Sequence, residues 1–403
     1  MIREFELKNG IRAVYKKNSE TPRIALTLNM SINEAEHYAG TYSLMTRLLM
    51  QGTKQYNNEE LAKVLDENGI EIIIDMKQDY LRFRLLCLNE DFQKAIELLE
   101  DIIKNSTFKE FNKEKIKMKG ELVAELDSAR LKVSDAFVKT VYEGHYYGHT
   151  YTNILEDIDN IQSNDVADAY KRIMFTSRKV LSVVGSIDEN EVINILEKAF
   201  SNVENHDKIT KTITKPVLNN PKKAEVIKED AQQAQILQGW LVPTFTEEDY
   251  PTMVVINTIL GSSGLSSRLF RELREKKGLA YTVRSSCEIK ELAALFSIYI
   301  ATEPSNIEIC LNGFKEEIDK LKTILVSEEE LQNAKNNIFG KHQFIVETNF
   351  QQSTSMAYYG INGLPFDYYE DIHDRIKNVT PEQVMECANK YFTENSVIAV
   401  LHP

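Results

Sequence analysis

Hydrophobic and polar positions along the chain follow two periods. In TYSLMTRLLMQGT (41–53), Leu44, Met45, Leu48, Leu49 and Met50 form a stripe at helical spacing, and Gly52 and Thr53 end it. Ser43, Thr46 and Arg47 stand at i, i+3 and i+4, on one polar face of that helix. Phe92, Ala95, Leu98 and Ile102 make a second helical stripe, after the strand-like run LRFRLLCL that starts at Leu81.

These patterns occur twice. NIQSNDVADAYKRIMFTSRKVLSVV (160–184) is echoed by NVTPEQVMECANKYFTENSVIAVL (378–401): a polar cap, an amphipathic helix carrying Val166 or Val384, a break, and a β-branched strand. LRFRLLCLNEDFQKAIELLEDII (81–103) is echoed by LFSIYIATEPSNIEICLNGFKEEI (295–318), with Ile307, Cys310, Leu311 and Phe314 on the second helix stripe. The early strand TPRIALTLNMSI (21–32) corresponds to QQAQILQGWLVPTF (232–245). Echoes in the same order, about half a chain apart, predict a duplication. The expected fold is α+β, with two homologous domains. Each is a mixed, mainly antiparallel sheet with helices on one face, and the two form a clamp. The expected boundaries are 1–203 and 223–403, joined by a polar, proline-bearing linker over 204–222.

A length of 403 residues allows two sizeable cores, and 42% hydrophobic against 27% charged residues is a globular composition. The net charge of −13 weighs against nucleic-acid and anionic-membrane binding. Cys87, Cys287, Cys310 and Cys387 lack metal-knuckle spacing and read as free thiols in a reducing compartment. The start, MIREFELKNGIRAVYKK, shows no signal core, and no run is long enough for a membrane span, so a cytoplasmic location is expected.

The candidate chemistry is sparse. The seven histidines, His37, His145, His149, His206, His342, His373 and His402, form neither H-E-x-x-H nor H-x-x-E-H. His145 and His149 in EGHYYGHTY are four apart but sit among glycines and tyrosines that read as a turn. GSSGLSSRLF (261–270) is neither a nucleophile elbow nor a phosphate loop. It reads equally as a backbone-rich loop that could touch a peptide and as a helix-start turn with Ser267 near the cap. The block SSRLFRELREKKGLAYTVRSS (266–286) runs from a charged helix through Gly278 into a strand from Leu279. Arg274 and Tyr281 flank that turn. A guanidinium and a phenol there could clamp a carbonyl and donate to an oxyanion, or be ordinary surface residues.

The Gly-rich turn, SRLFRELREKKGLAY and the duplicated halves resemble the insulinase/pitrilysin family of inverted-motif zinc peptidases, in its two-domain processing-peptidase branch. The resemblance covers nearly the whole chain. It implies that Arg274 and Tyr281 bind substrate backbone and stabilise the tetrahedral intermediate. It also places the family's H-x-x-E-H at Ser43, Thr46 and Arg47, counted back from Gly52-Thr53. A hydroxyl, a second hydroxyl and a permanent cation there cannot replace two imidazoles and a general base. The family's third zinc ligand, a downstream glutamate, maps best to Glu125, with Glu121 the alternative. The resemblance therefore implies a chain with no zinc of its own. It would be a non-catalytic, substrate-binding subunit paired with a zinc-bearing homologous partner and acting on unstructured peptides. The competing expectations are a scaffold with no role in proteolysis, and an active homodimer with a metal held by His145, His149 and Glu125.

Overall fold

The alternating runs fold as strands, and the strands gather into two sheets. The computed structural model describes residues 2–206 and 212–403; residues 207–211 of the expected linker lie outside the described residues. The first sheet is built from β1 (Ile2–Glu6), β2 (Arg12–Lys17), β3 (Arg23–Ser31), β4 (Glu71–Met76), β5 (Tyr80–Leu88) and β6 (Lys179–Gly185), in the order β1-β2-β6-β3-β5-β4. The second contains β7 (Lys222–Ile227), β8 (Ala234–Val242), β9 (Ala280–Ile289), β10 (Ala294–Thr302) and β11 (Val397–His402), in the order β7-β11-β8-β10-β9. β2 and β6 run parallel, as do β7 and β11, and the remaining neighbours are antiparallel.

The helices of the first half are α1 (Thr41–Leu49), α2 (Asn58–Glu67), α3 (Phe92–Asn105), α4 (Phe111–Leu126), α5 (Ala129–Val141), α6 (Tyr151–Asp157), α7 (Ser163–Thr176) and α8 (Glu189–Phe200). Those of the second half are α9 (Tyr250–Asn257), α10 (Ile307–Thr323), α11 (Glu328–Ile345), α12 (Asn349–Ile361), α13 (Tyr368–Lys377) and α14 (Pro381–Tyr391). No helix among the described residues is long and apolar enough to cross a membrane.

The repeats seen in the sequence occupy equivalent sheet positions. Strand β3 corresponds to β8, β5 to β10 and β6 to β11, and the parallel neighbour of the last pair is β2 in one sheet and β7 in the other. A duplicated α+β fold is therefore present in the architecture as well as in the pattern.

The chain divides into two compact units, and each contains a helix drawn from the other half of the sequence. One unit comprises 1–121, 153–213 and 343–369; the other comprises 122–152, 214–342 and 370–403. In the first unit α12 lies on β3, β5 and β6. Met356 and Ile361 of α12, with Phe366, share a core with Val14, Tyr80, Val180 and Val184 of the sheet. The alternate β3 residues Ile24, Leu26, Leu28 and Met30 are fully buried on the opposite face, where α3 and α7 pack. In the second unit α5 covers β7, β8 and β11. A Cβ on Gly239 would stand 2.6 Å from the Phe137 ring of α5, so only glycine allows that approach. Trp240, Phe296 and Phe392 cluster with ring centroids 5.0–6.3 Å apart. Burial of such rings supplies much of a core's stability.

Candidate functional site

In the first unit the degenerate motif lies on α1. Leu44, Met45, Leu48 and Leu49 are buried as the stripe requires, which leaves Ser43 and Arg47 half-buried on the polar face. Thr46 is buried, and its hydroxyl donates to the backbone oxygen of Tyr42 at 2.8 Å. A hydroxyl has too little basicity to take a proton from water, so it cannot act where the resemblance requires a base.

Arg47 stands in the last turn of α1, where the helix dipole favours a cation. Its Nη2 donates to Oε2 of Glu121, and its Nη1 lies 3.8 Å from Oε2 of Glu114. Both glutamates project from α4, seven residues and about two turns apart, on one face. Glu114 is only 4% exposed. The hydrogen bond from Arg47, chiefly, holds the Glu121 carboxyl below the usual glutamate range. The two glutamates that the resemblance offers as a third ligand therefore differ in surroundings. Glu121 meets Arg47, whereas Glu125 hydrogen-bonds the phenol of Tyr151, whose pKa rises through burial first and through Glu125 second.

This donor set does not fit zinc. The metal needs three neutral or anionic N, S or O donors converging on it. Here the carboxylate that would serve is already paired with a permanent guanidinium. No cluster of His, Cys, Asp and Glu suited to a metal occurs among the described residues. The His145–His149 segment is a turn around a short 3₁₀ helix at Tyr146–Gly148. The two ring nitrogens of His145 face the Tyr147 amide, at 3.0 Å, and the Thr214 carbonyl, at 2.7 Å.

In the second unit the structure brings Arg274 and Tyr281 together. The segment Phe270–Lys276 is wound as a π-helix, a form often found at functional sites. Strand β9 then begins at Ala280, one residue later than the pattern suggests. Arg274 Nη1 donates to the backbone oxygen of Tyr281 at 2.6 Å, and the guanidinium carbon lies 4.7 Å from the Tyr281 ring centroid. Tyr281 is 79% exposed, so its phenol is presented to solvent. Strand β9 is the edge of its sheet among the described residues. The site can thus offer a fixed cation, a phenol donor and a strand edge.

The Gly-rich stretch before it forms a π-turn at Thr258–Ser262 and a 3₁₀ turn at Gly264–Ser266. Ser267 is buried, with its hydroxyl donating to the Gly264 oxygen at 2.7 Å, so its role is to hold the turn. Leu265 projects from the turn, largely exposed.

Two residues of these clusters escape the linear pattern. Glu114 signals itself only as a carboxylate two turns before Glu121. Phe270, which packs against Arg274, looks like one more position of an amphipathic stripe.

A family model described as "Insulinase (Peptidase family M16)" matches residues 12–157, and one described as "Peptidase M16 inactive domain" matches 160–338. Similar proteins include the "Uncharacterized zinc protease YmxG" of Bacillus subtilis. It is 26% identical, over 100% of this chain and 98% of that protein. The "Probable inactive metalloprotease YmfF" of the same organism is 23% identical, over 96% of each chain. Among solved structures, a protease from Helicobacter pylori superposes with a TM-score of 0.91 at 22% identity, over 100% of both chains. A peptidase M16 inactive domain from Pseudomonas fluorescens gives 0.90 at 20% identity, over 100% of this chain and 98% of that one.

Proposed function

The chain belongs to the insulinase family of peptidases, M16, and from that premise we propose that it is the substrate-binding, non-catalytic subunit of a heterodimeric zinc endopeptidase acting on unstructured peptides. One contrast carries the reading. The motif positions are taken up by an Arg47–Glu121 ion pair, while Arg274 and Tyr281 stand together with an exposed phenol. A chain retained only for its fold has no use for the second feature.

In this reading a homologous partner supplies zinc and the general base. Arg274 holds a carbonyl of the extended substrate. Tyr281 donates its phenolic proton as a hydrogen bond to the oxyanion that develops at the scissile carbon. Such a donor acts on charge that appears only in the transition state, and losing one costs on the order of 10²–10³ in rate. An extended peptide adds to a sheet edge through main-chain hydrogen bonds, which gives recognition with little dependence on side chains.

The test is co-expression with a homologue that carries H-x-x-E-H, followed by cleavage of an unstructured peptide. Arg274→Ala and Tyr281→Phe are each expected to slow the complex by about 10²-fold, Tyr281→Phe mainly in kcat. Unchanged cleavage by both variants would remove the assigned roles and leave the chain as a scaffold.

A further inference from the structure

We propose that Phe270 is a positioning residue for Arg274, its ring closing one side of an aromatic clamp whose other side is Tyr281. The proposal deepens the reading above and rests on it for the use to which Arg274 is put. The guanidinium carbon of Arg274 lies 4.7 Å from the Phe270 centroid and 4.7 Å from the Tyr281 centroid. A guanidinium held over ring faces is attracted to their negative quadrupole, and its delocalised plane matches theirs.

The clamp matters because Arg274 has no carboxylate within ion-pair distance among the described residues, whereas its helical neighbours do. Glu272 accepts from both Arg271 and Lys276, and Arg268 is bidentate to Glu330 at 2.8 and 2.6 Å. These pairings occupy the cations on either side and leave the Arg274 charge uncompensated. A cation fixed by rings and one carbonyl keeps donors free for an incoming carbonyl. One fixed by a carboxylate would not.

Phe270 is itself firmly seated. Leu273, one turn on, packs so closely on α10 that a Cβ at Gly313 would stand 2.3 Å from its Cδ2. Leu279 N donates to the Leu273 oxygen at 2.9 Å, and Thr302 Oγ1 donates to the Leu279 oxygen at 2.7 Å. The helix, the turn at Gly278 and the start of β9 are thereby joined, and Phe270, buried at 8% exposure, is a rigid floor under the arginine.

The experiment probes the chain alone with phenylglyoxal, a guanidine reagent, and reads modification at Arg274 and Arg268 by peptide mass spectrometry. Phe270→Leu keeps an apolar floor without a π face. It should raise the Arg274 rate by roughly two- to five-fold, the factor corresponding to one exposed cation–π contact, and leave Arg268 unchanged. Phe270→Tyr keeps the face and should match the wild type. Phe270→Met, which refills the volume flexibly, should behave as the leucine variant and serves if that one folds poorly. An unchanged Arg274 rate in the leucine and methionine variants, an equal rise at Arg268, or a loosened arginine in Phe270→Tyr would each overturn the proposal. Because no partner is needed, failure here is distinct from failure of the functional reading, which shows as unaltered cleavage by the Arg274→Ala complex.

Discussion

Arg47 stands where the resemblance places a zinc ligand, and its chemistry is of another kind. A zinc ligand must offer a neutral or anionic donor with a free lone pair, and a guanidinium, never deprotonated in a protein, has none. With Glu121 and Glu114 facing it, the same place becomes an ion pair joining α1 to α4. Arg47→Ala should lower stability by about 1–3 kcal/mol, mostly through Glu114, which is buried and loses its nearby cation. The pH dependence follows from Glu121, whose carboxyl titrates below its ordinary value when folded. A depressed carboxylate contributes stability above its unfolded pKa, about 4.3, and loses it as pH falls through the lower folded value. The part of the gap between wild type and Arg47→Ala that comes from Glu121 should therefore shrink as pH drops below about 4. A gap that stays constant would disprove the pairing. Refitting the motif gives a second test. Ser43→His, Thr46→Glu and Arg47→His together should bring zinc to the chain with Glu121 as the third ligand. Adding Glu121→Gln should abolish the metal, and adding Glu125→Gln should not, as read by metal analysis.

At the scale of elements, the duplication extends to details that no stripe reveals. Lys115 of α4 donates to the carbonyls of Asp159 and Ile161, just beyond α6, at 3.0 and 2.8 Å. Lys335 of α11 donates to the carbonyls of Lys377 and Val379, at the end of α13, at 2.9 and 2.7 Å. Both lysines satisfy carbonyls at the connection between two consecutive helices, α6 to α7 and α13 to α14, which have no strand or helix ladder to pair with. Lys335 is 8% exposed and its pKa is pushed down by burial, whereas Lys115 is half-buried. Lys335→Met should cost about 1–3 kcal/mol in thermal unfolding, and Lys115→Met distinctly less, because water replaces its bonds. Equal losses would show that burial does not set the difference. The strands and helices of both repeats are legible in the sequence because each stripe is a local, periodic property. The lysine latches are not, because donor and acceptors lie on elements brought together only by the fold.

For the whole molecule, the proposed function requires a chain that carries no catalytic metal of its own. Purified alone in zinc-containing buffer, it should hold well below one zinc per chain and show no chelator-sensitive cleavage of an unstructured peptide. In a complex with an H-x-x-E-H homologue, zinc should be near one per heterodimer. One zinc per chain in the isolated protein would overturn the non-catalytic assignment.

The sequence alone determined the α+β class, the duplicated halves, the lack of H-x-x-E-H and the turn between Arg274 and Tyr281. Each stripe and motif is encoded within about twenty residues, and the duplication is the return of such stripes in the same order about half a chain later. Tertiary structure decided that Arg47 pairs with Glu121 and Glu114, that Glu125 faces Tyr151, and that Phe270 lies beneath Arg274. It also decided that α5 and α12 complete units drawn largely from the other half of the chain. The glutamate partners of Arg47 are about seventy residues away, and at that separation the resemblance favoured Glu125, whereas the fold sets Glu121 beside Arg47. Only the packing of α1 and α4 on their sheet chooses between them.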